Sequence, residues 1–208
     1  MLNLKNCESV ILDKNDTDSI LELINLTQPN DPWTKEHFEW QYFEGPAGHA
    51  KIYGIKNHKG KVVSIYSAVP KIFKCKNHEI IGRHIQDVMT HPDYRGRGFL
   101  HYLASLAVDD IKKKKEIGYT FPNQKSEKSF IRNNWDQLCL IPLRVKKLTN
   151  KIKQEEIKMT NIKGKFDNSI SSIWENSGIK IGVKRDVNFL NWRYDRPGVK
   201  YFKFILDS

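Results

Sequence analysis

The sequence predicts an α/β protein in which a mixed α+β central sheet is flanked by helices. Three observations carry that expectation. Strand-like and helix-like hydrophobic periods follow one another in the order βααβββαβαβ. Three strand-type segments between residues 51 and 89 are separated only by short turns, as in an antiparallel meander. The last of them runs through a glycine-rich turn into a long amphipathic helix.

Residues 8–13 hold the short apolar run Val10, Ile11 and Leu12 and read as a strand. Asp16 or Thr17 then caps a helix through Leu26, with Ile20, Leu21, Leu23 and Ile24 toward the core. Pro29 and Pro32 break the chain. Thr34, three positions before His37, opens a second short helix bearing Phe38 and Tyr42, which ends in the loop Gly45-Pro46-Ala47-Gly48. Strands follow at 51–56, 61–73 and 80–89. From Phe99 the period is helical, with Leu100, Leu103, Leu106, Ala107 and Ile111 recurring at three and four residues. This helix ends in the run Lys112 to Lys115, where cations answer the negative end of the helix dipole. Residues 117–121 read as a strand, 125–132 as a short helix, and 137–145 as a strand interrupted by Pro142.

With 208 residues, 39% of them hydrophobic and 11% aromatic, the chain can bury a substantial core. No stretch nears the roughly 18–20 apolar residues of a membrane helix. The N-terminus MLNLKNCESV lacks the basic-then-apolar plan of a secretion signal. A cytoplasmic protein without membrane insertion is therefore expected. Cys7, Cys75 and Cys139 are odd in number and widely spaced, with no CxxC pair and no metal-ligand spacing with histidine. They are expected to be reduced, mostly packed, and no metal is expected.

The net charge of +11 fits an anionic partner without naming one. Between residues 144 and 165, eight basic side chains face only Glu155 and Glu156, a local eight minus two, or +6. No recognised nucleic-acid reader motif accompanies that charge, so nucleic acid is not the expected partner and the segment reads as a solvated connector.

The chemistry concentrates after the strand ending near Met89. A strand, then Tyr94-Arg95-Gly96-Arg97-Gly98, then a long helix is a device for holding an anion, because glycines admit close backbone approach and the first free N–H groups of the helix point at it. A phosphate-binding loop of the nucleotide hydrolases needs Lys-Ser/Thr after its last glycine, and a dinucleotide fingerprint needs three spaced glycines. Here Phe99 and Leu100 follow instead. A tight turn holding no ligand is the plainer alternative.

The run THPDYRGRGFLHYL, residues 90–103, resembles the acetyl-CoA signature Arg/Gln-x-x-Gly-x-Gly/Ala of the GNAT superfamily of N-acetyltransferases, placing Arg95 and Gly98 directly. The order of elements is also similar to the family's over roughly residues 8–146. The resemblance implies acetyl-CoA as acetyl donor. It assigns the main chain of Val88, Met89 and Thr90, on the family's splayed strand, to the pantetheine arm, and the backbone from Arg95 through Gly96, Arg97, Gly98 and Phe99 to Leu100 to the pyrophosphate. The block FPNQKSEKSFIRNNW, residues 121–135, resembles the family's Asn…Tyr-x-x-x-Gly-Phe segment and places Asn123 near the cofactor arm. Two departures stand out. Leu100 replaces the last small residue of the signature, putting a bulky side chain where the pyrophosphate should sit. Phe130 replaces the tyrosine that many members use to protonate the departing thiolate, leaving water, Tyr119 or release of the free thiolate.

Transfer to an amine needs a proton acceptor, and side chains on the splayed strand face the reacting carbon. Simple alternation puts His84, Gln86, Val88 and Thr90 on one face and Ile85, Asp87 and Met89 on the other. His84 is the expected base, at the offset where several family members resemble one another in carrying His or Glu, with Asp87 and His91 as runners-up. The acceptor is expected beside Tyr42, Glu44 and Gln86, where Glu44 would draw in an ammonium. Core packing is the plainer role for Trp33, Phe38, Trp40 and Tyr42.

The order Phe, Trp-x-Tyr, Pro-Gly and an aromatic strand recurs from Asn188, with Trp192 and Tyr194 answering Trp40 and Tyr42. The expected organisation is an acetyltransferase domain over 1–150, a basic connector over 151–165, and a segment over 166–208 that begins a second GNAT-like unit. Tandem units of this kind resemble the branch associated with polysaccharide and amino-sugar pathways, which implies a small-molecule amine such as a nucleotide-linked amino sugar as acceptor. The competing expectation is a non-catalytic acyl-CoA-binding or regulatory module. A homodimer is compatible with the sequence.

Overall fold

Strands β1 (Cys7–Leu12), β2 (Lys51–Asn57), β3 (Val62–Cys75), β4 (His78–Thr90) and β5 (Ile117–Tyr119) lie side by side in that order. All neighbours are antiparallel except β4 and β5, which run parallel. The computed structural model describes residues 4–142, 144–145, 159–161 and 164–206.

Helices α1 (Thr17–Thr27) and α2 (Lys35–Phe43) cover one face of the sheet. The Thr34 side chain accepts the His37 N–H, a cap that starts α2 where the polar-then-apolar pattern places it. Ile20, Leu23, Ile24, Phe38 and Tyr42 pack there with Ile52, Ile65, Val69 and Met89. Helix α3 (Phe99–Lys113) covers the opposite face, setting Leu103, Ala104, Ala107 and Ile111 against Tyr53, Ile55, Tyr66 and Ile85. Each fully buried Leu or Ile contributes roughly 1.5–3 kcal/mol of hydrophobic stabilisation, so these two layers fix the sheet on which the site stands.

The alternation expected along β4 does not hold. Between β3 and β4 the pairing Ile65 with Met89 is followed by Ser67 with Gln86, so β4 uses three residues where β3 uses two. Asp87 in that bulge has φ +48, a left-handed conformation rare for a residue with a Cβ. A bulge reverses the facing of everything beyond it. Ile85 consequently packs on the α3 side while Met89 packs on the α1 side, although both are odd-numbered. His84 and Gln86, opposite Val69 and Ser67, share the α1/α2 side with Met89, whereas Val88 lies against the α3 layer.

Strands β4 and β5 pair only from Gly82 to His84 and then diverge. Arg83 and Glu116 tie the root of that splay through two hydrogen bonds of 2.6 and 2.7 Å. Helix α4 (Gln124–Arg132) follows β5. The strand expected over 137–145 does not form among its described residues. Leu138, Leu140 and Ile141 are exposed there, because Pro142 lacks a ladder N–H and no neighbouring strand offers a partner.

Part of the expected connector is instead strand β6 (Met159–Asn161), paired with β8 (Phe204–Leu206); residues 151–158 lie outside the described residues. Between them come α5 (Ser169–Glu175), β7 (Ile181–Val183) and α6 (Val187–Arg193). Strand β7 pairs with Phe73–Cys75 of β3 beyond the end of β2. The two segments related by sequence meet directly. The Trp40 and Trp192 rings stack at 4.8 Å, and each indole N–H donates to the other's carbonyl, at 2.8 and 3.0 Å.

Candidate active site

The anion turn has the geometry its glycines allow. Gly96 and Gly98 adopt φ +77 and +81, which a side chain would strain, and a Cβ on Gly96 would point into open space. Gly98 is the N-cap of α3, and the Tyr102 N–H to Gly98 carbonyl bond, 3.1 Å, closes the first turn. The N–H groups of Phe99, Leu100 and His101 precede that bond and face outward from the positive end of a 15-residue helix. Leu100 leans against the α3-side core rather than over the turn, so its bulk does not block the backbone donors. Arg95 Nε donates to the Thr90 carbonyl, 3.2 Å, and the Arg97 guanidinium lies over Tyr94, 4.6 Å from the ring centre. These contacts brace the loop from the side and leave its backbone open. His91 accepts the Asp93 N–H through Nδ1 and is thereby a turn cap.

From Gln86 to Thr90, β4 bonds β3 on one edge, while β5 has already departed on the other. The free edge, carrying Val88, Met89 and Thr90, leads from the splay to the anion turn. Asn123 lies just past β5, where its side-chain oxygen accepts the Ser126 N–H at 3.0 Å and starts α4. Phe130 is buried against Tyr66 and Trp135, inside the core.

On the α2 side the bulge gathers a polar group that alternation had separated. Asp87 Oδ2 accepts from the Tyr42 hydroxyl at 2.5 Å and from Gln86 Nε2 at 3.1 Å. Burial raises the Asp87 carboxyl above the ordinary carboxylate range, and its two donors act against that rise. Burial, then the Asp87 charge, raise the Tyr42 hydroxyl well above its ordinary value, so it stays protonated and donates. Tyr42 is fully buried.

His84 stacks on Tyr119, with ring centres 4.9 Å apart and nearly parallel, and meets Phe121 edge-on. Burial first, and the charge of Lys71 second, depress its pKa to about 4, so the imidazole is neutral at neutral pH. Burial pushes the Tyr119 hydroxyl up to about 12, and it holds its proton. Tyr42, Gln86 and Asp87 are thus joined and share their face with His84. Glu44 is not part of that group; it sits exposed at the C-terminal end of α2. A non-glycine residue at positive φ has no signature in sequence, so nothing short of the fold places Asp87 here.

A splayed pair of parallel strands thus lies beside a glycine turn that caps a long helix. The sequence matches the model of the acetyltransferase (GNAT) domain over residues 11–133, and the chain belongs to that family of acetyltransferases. No curated relative matches the sequence. Among solved structures, a probable N-acyltransferase from Enterococcus faecalis superposes with TM-score 0.68 at 16% identity, covering 97% of this chain and 52% of its own. This chain therefore spans about half of that protein's length. An acetyltransferase from Trypanosoma brucei gives TM-score 0.54 at 19% identity, covering 67% of this chain and 99% of its own. Glucosamine-6-phosphate N-acetyltransferase from Arabidopsis thaliana gives 0.53 at 16%, covering 67% and 97%. Among the described residues no helix is long and apolar enough to cross a membrane, and no cluster of His, Cys, Asp and Glu could hold a metal.

Proposed function

We propose that this chain transfers the acetyl group of acetyl-CoA directly to the amine of a small molecule, with an amino sugar as the leading acceptor class. The single observation that carries the reading is the alignment of the open β4 edge with the Gly98-capped start of α3, a continuous track for a thioester arm and its pyrophosphate. Backbone N–H groups from Gly96 to Leu100 hold the pyrophosphate, Val88, Met89 and Thr90 lend main-chain groups to the arm, and Asn123 lies beside it.

The amine enters on the α2 face. The Asp87 carboxylate attracts its ammonium, the role expected of Glu44, while Tyr42 and Gln86 hold that carboxylate in place. His84 is neutral and takes one proton from that ammonium, freeing the nitrogen lone pair; nitrogen then bonds the thioester carbon as the C–S bond breaks, and its second proton goes to water or to the departing thiolate, directly or through Tyr119. A second reading, with Asp87 itself as base, is favoured by its raised carboxyl and by the bulge that turns it toward the His84 face.

Release of CoA thiol with a panel of amines tests both readings. Wild type should release CoA with at least one amine. Loss of about 10²–10⁴ in rate for His84→Gln with a smaller loss for Asp87→Asn supports His84, and the reverse order supports Asp87. Acetyl-CoA binding without turnover on any amine would contradict transfer altogether.

A further inference from the structure

Among the described residues, Lys71 and Arg193 form no ion pair. Lys71 lies on β3, two residues from Val69, which is the partner of His84. Diagonal neighbours across an antiparallel pair are about 7–8 Å apart, so Lys71 and His84 flank one stretch of the same sheet face. The Lys71 ammonium sits 3.9 Å from the Trp192 ring centre and 5.8 Å from that of Phe189. None of the ion pairs among the described residues includes it. Its neighbour Lys184 is satisfied by Glu79 at 2.7 Å and Asp186 at 3.4 Å. Arg193 directly follows Trp192, whose ring carries the Lys71 ammonium, its charge acts on Lys71, and it donates to the Tyr201 hydroxyl rather than to an acid.

Stacking on an aromatic face recovers part of the hydration an ammonium loses, but it does not neutralise two like charges held together. Burial and the Arg193 charge bring Lys71 down to about 8, so the cation persists at neutral pH. The cleft beside it, about 60 Å³, is walled by Pro46 and Ala47 from the loop after α2, by Phe189 from α6, and by Asp186, whose carboxylate is taken up by Lys184. That loop is the one expected to receive the acceptor.

We infer that Lys71, with Arg193, forms a receptor for an anionic group of the acceptor, a phosphate or carboxylate carried about one diagonal sheet spacing from the reacting amine. The inference rests on the transferase reading for the amine, whereas the anion site itself stands on the unneutralised pair. It also gives α6 a role: Trp192 holds the ammonium in place, so the segment after residue 166 completes the acceptor site.

The experiment compares glucosamine, glucosamine 6-phosphate, a nucleoside-diphosphate amino sugar and an amino-hexuronic acid on wild type, Lys71→Met and Lys71→Arg. Two readouts are taken, thermal stabilisation by each amine and kcat with KM from CoA release. At least one anionic amine should stabilise wild type and be used with at least tenfold higher kcat/KM than glucosamine. Which of them does so separates phosphate from carboxylate. Lys71→Met should raise its KM about 10–100-fold and remove most of its preference over glucosamine, and Lys71→Arg should restore most of that preference. Equal use of neutral and anionic amines, or equal losses on all of them in Lys71→Met, overturns the anion site while leaving acetyl transfer intact. Lys71-dependent stabilisation without CoA release from any amine supports the anion site and contradicts acetyl transfer. A melting temperature of Lys71→Arg close to wild type shows that charge, not folding, is being read.

Discussion

Helices α2 and α6 share a side-chain cap and a Trp-x-Tyr pattern and do different work. Thr34 and Asp186, 152 positions apart, each accept the N–H three residues on, at 3.2 and 2.9 Å. Trp40 and Trp192 then exchange equivalent hydrogen bonds. Past that point the likeness ends. Tyr42 is 1% exposed and bonds Asp87, whereas Tyr194 is 39% exposed and meets the rings of Phe166 and Tyr201. Strand β2, which follows α2, is seven residues long and paired on both sides; β8, which follows α6, has three residues and, among the described residues, one neighbour. A shared local pattern therefore specifies a helix and its cap, and the sheet beneath it decides whether its tyrosine becomes part of a site.

Breaking the contact between the two helices should have the largest effect. Trp40→Ala removes a buried ring, its stack on Trp192 and the hydrogen bond its indole N–H gives the Trp192 carbonyl, so a loss of about 3–5 kcal/mol is expected in chemical denaturation, while Trp192→Ala, the more exposed partner, should cost about 1–3 kcal/mol. Equal losses would mean that the two segments contribute alike.

Acidification should weaken the site half selectively. Above pH 6.5 His84 is neutral folded and unfolded; between 6.5 and about 4 only the unfolded chain takes the proton, so stability falls as pH falls through that window. At about 1.4 kcal/mol per unit the upper limit is about 3 kcal/mol. Melting curves over this range should be visibly flatter for His84→Gln, and identical slopes would contradict burial of a neutral imidazole as the cause.

The two tyrosines should separate next. Tyr42→Phe removes the shorter of the two hydrogen bonds to Asp87, and a fall in kcat/KM of about 10–100-fold is expected, or about 1.4–2.7 kcal/mol. Tyr194→Phe should change CoA release by less than about twofold. The smallest difference belongs to the caps: Thr34→Ala and Asp186→Ala should each cost about 1 kcal/mol, read as the loss of stability in urea.

The caps, α3 and the meander were legible because each is local. Thr34 before His37, and Phe99, Leu103, Ala107 and Ile111 at helical spacing, carry their own instruction. The glycine turn was legible for the same reason, since Gly96 and Gly98 occupy conformations that other residues avoid. The face of Asp87 was not. Alternation presumes an unbroken strand, and one residue of bulge moved Asp87 beside Tyr42 and set Val88 against α3. The segment 137–145 misled in the opposite way, because an apolar alternating stretch makes a strand only where a neighbour offers hydrogen bonds. Lys71 was equally silent, since a lysine on a strand gains meaning only from Trp192 and Arg193 far along the chain.

The most direct test of the account is calorimetric titration of acetyl-CoA into wild type and Gly98→Val. Valine cannot easily adopt the left-handed cap that aims the first turn of α3 at the pyrophosphate. Wild type should show a saturable single site, and the variant at least tenfold weaker binding, about 1.4 kcal/mol, with the rest of the fold retained. Equal affinity in the two proteins would contradict it.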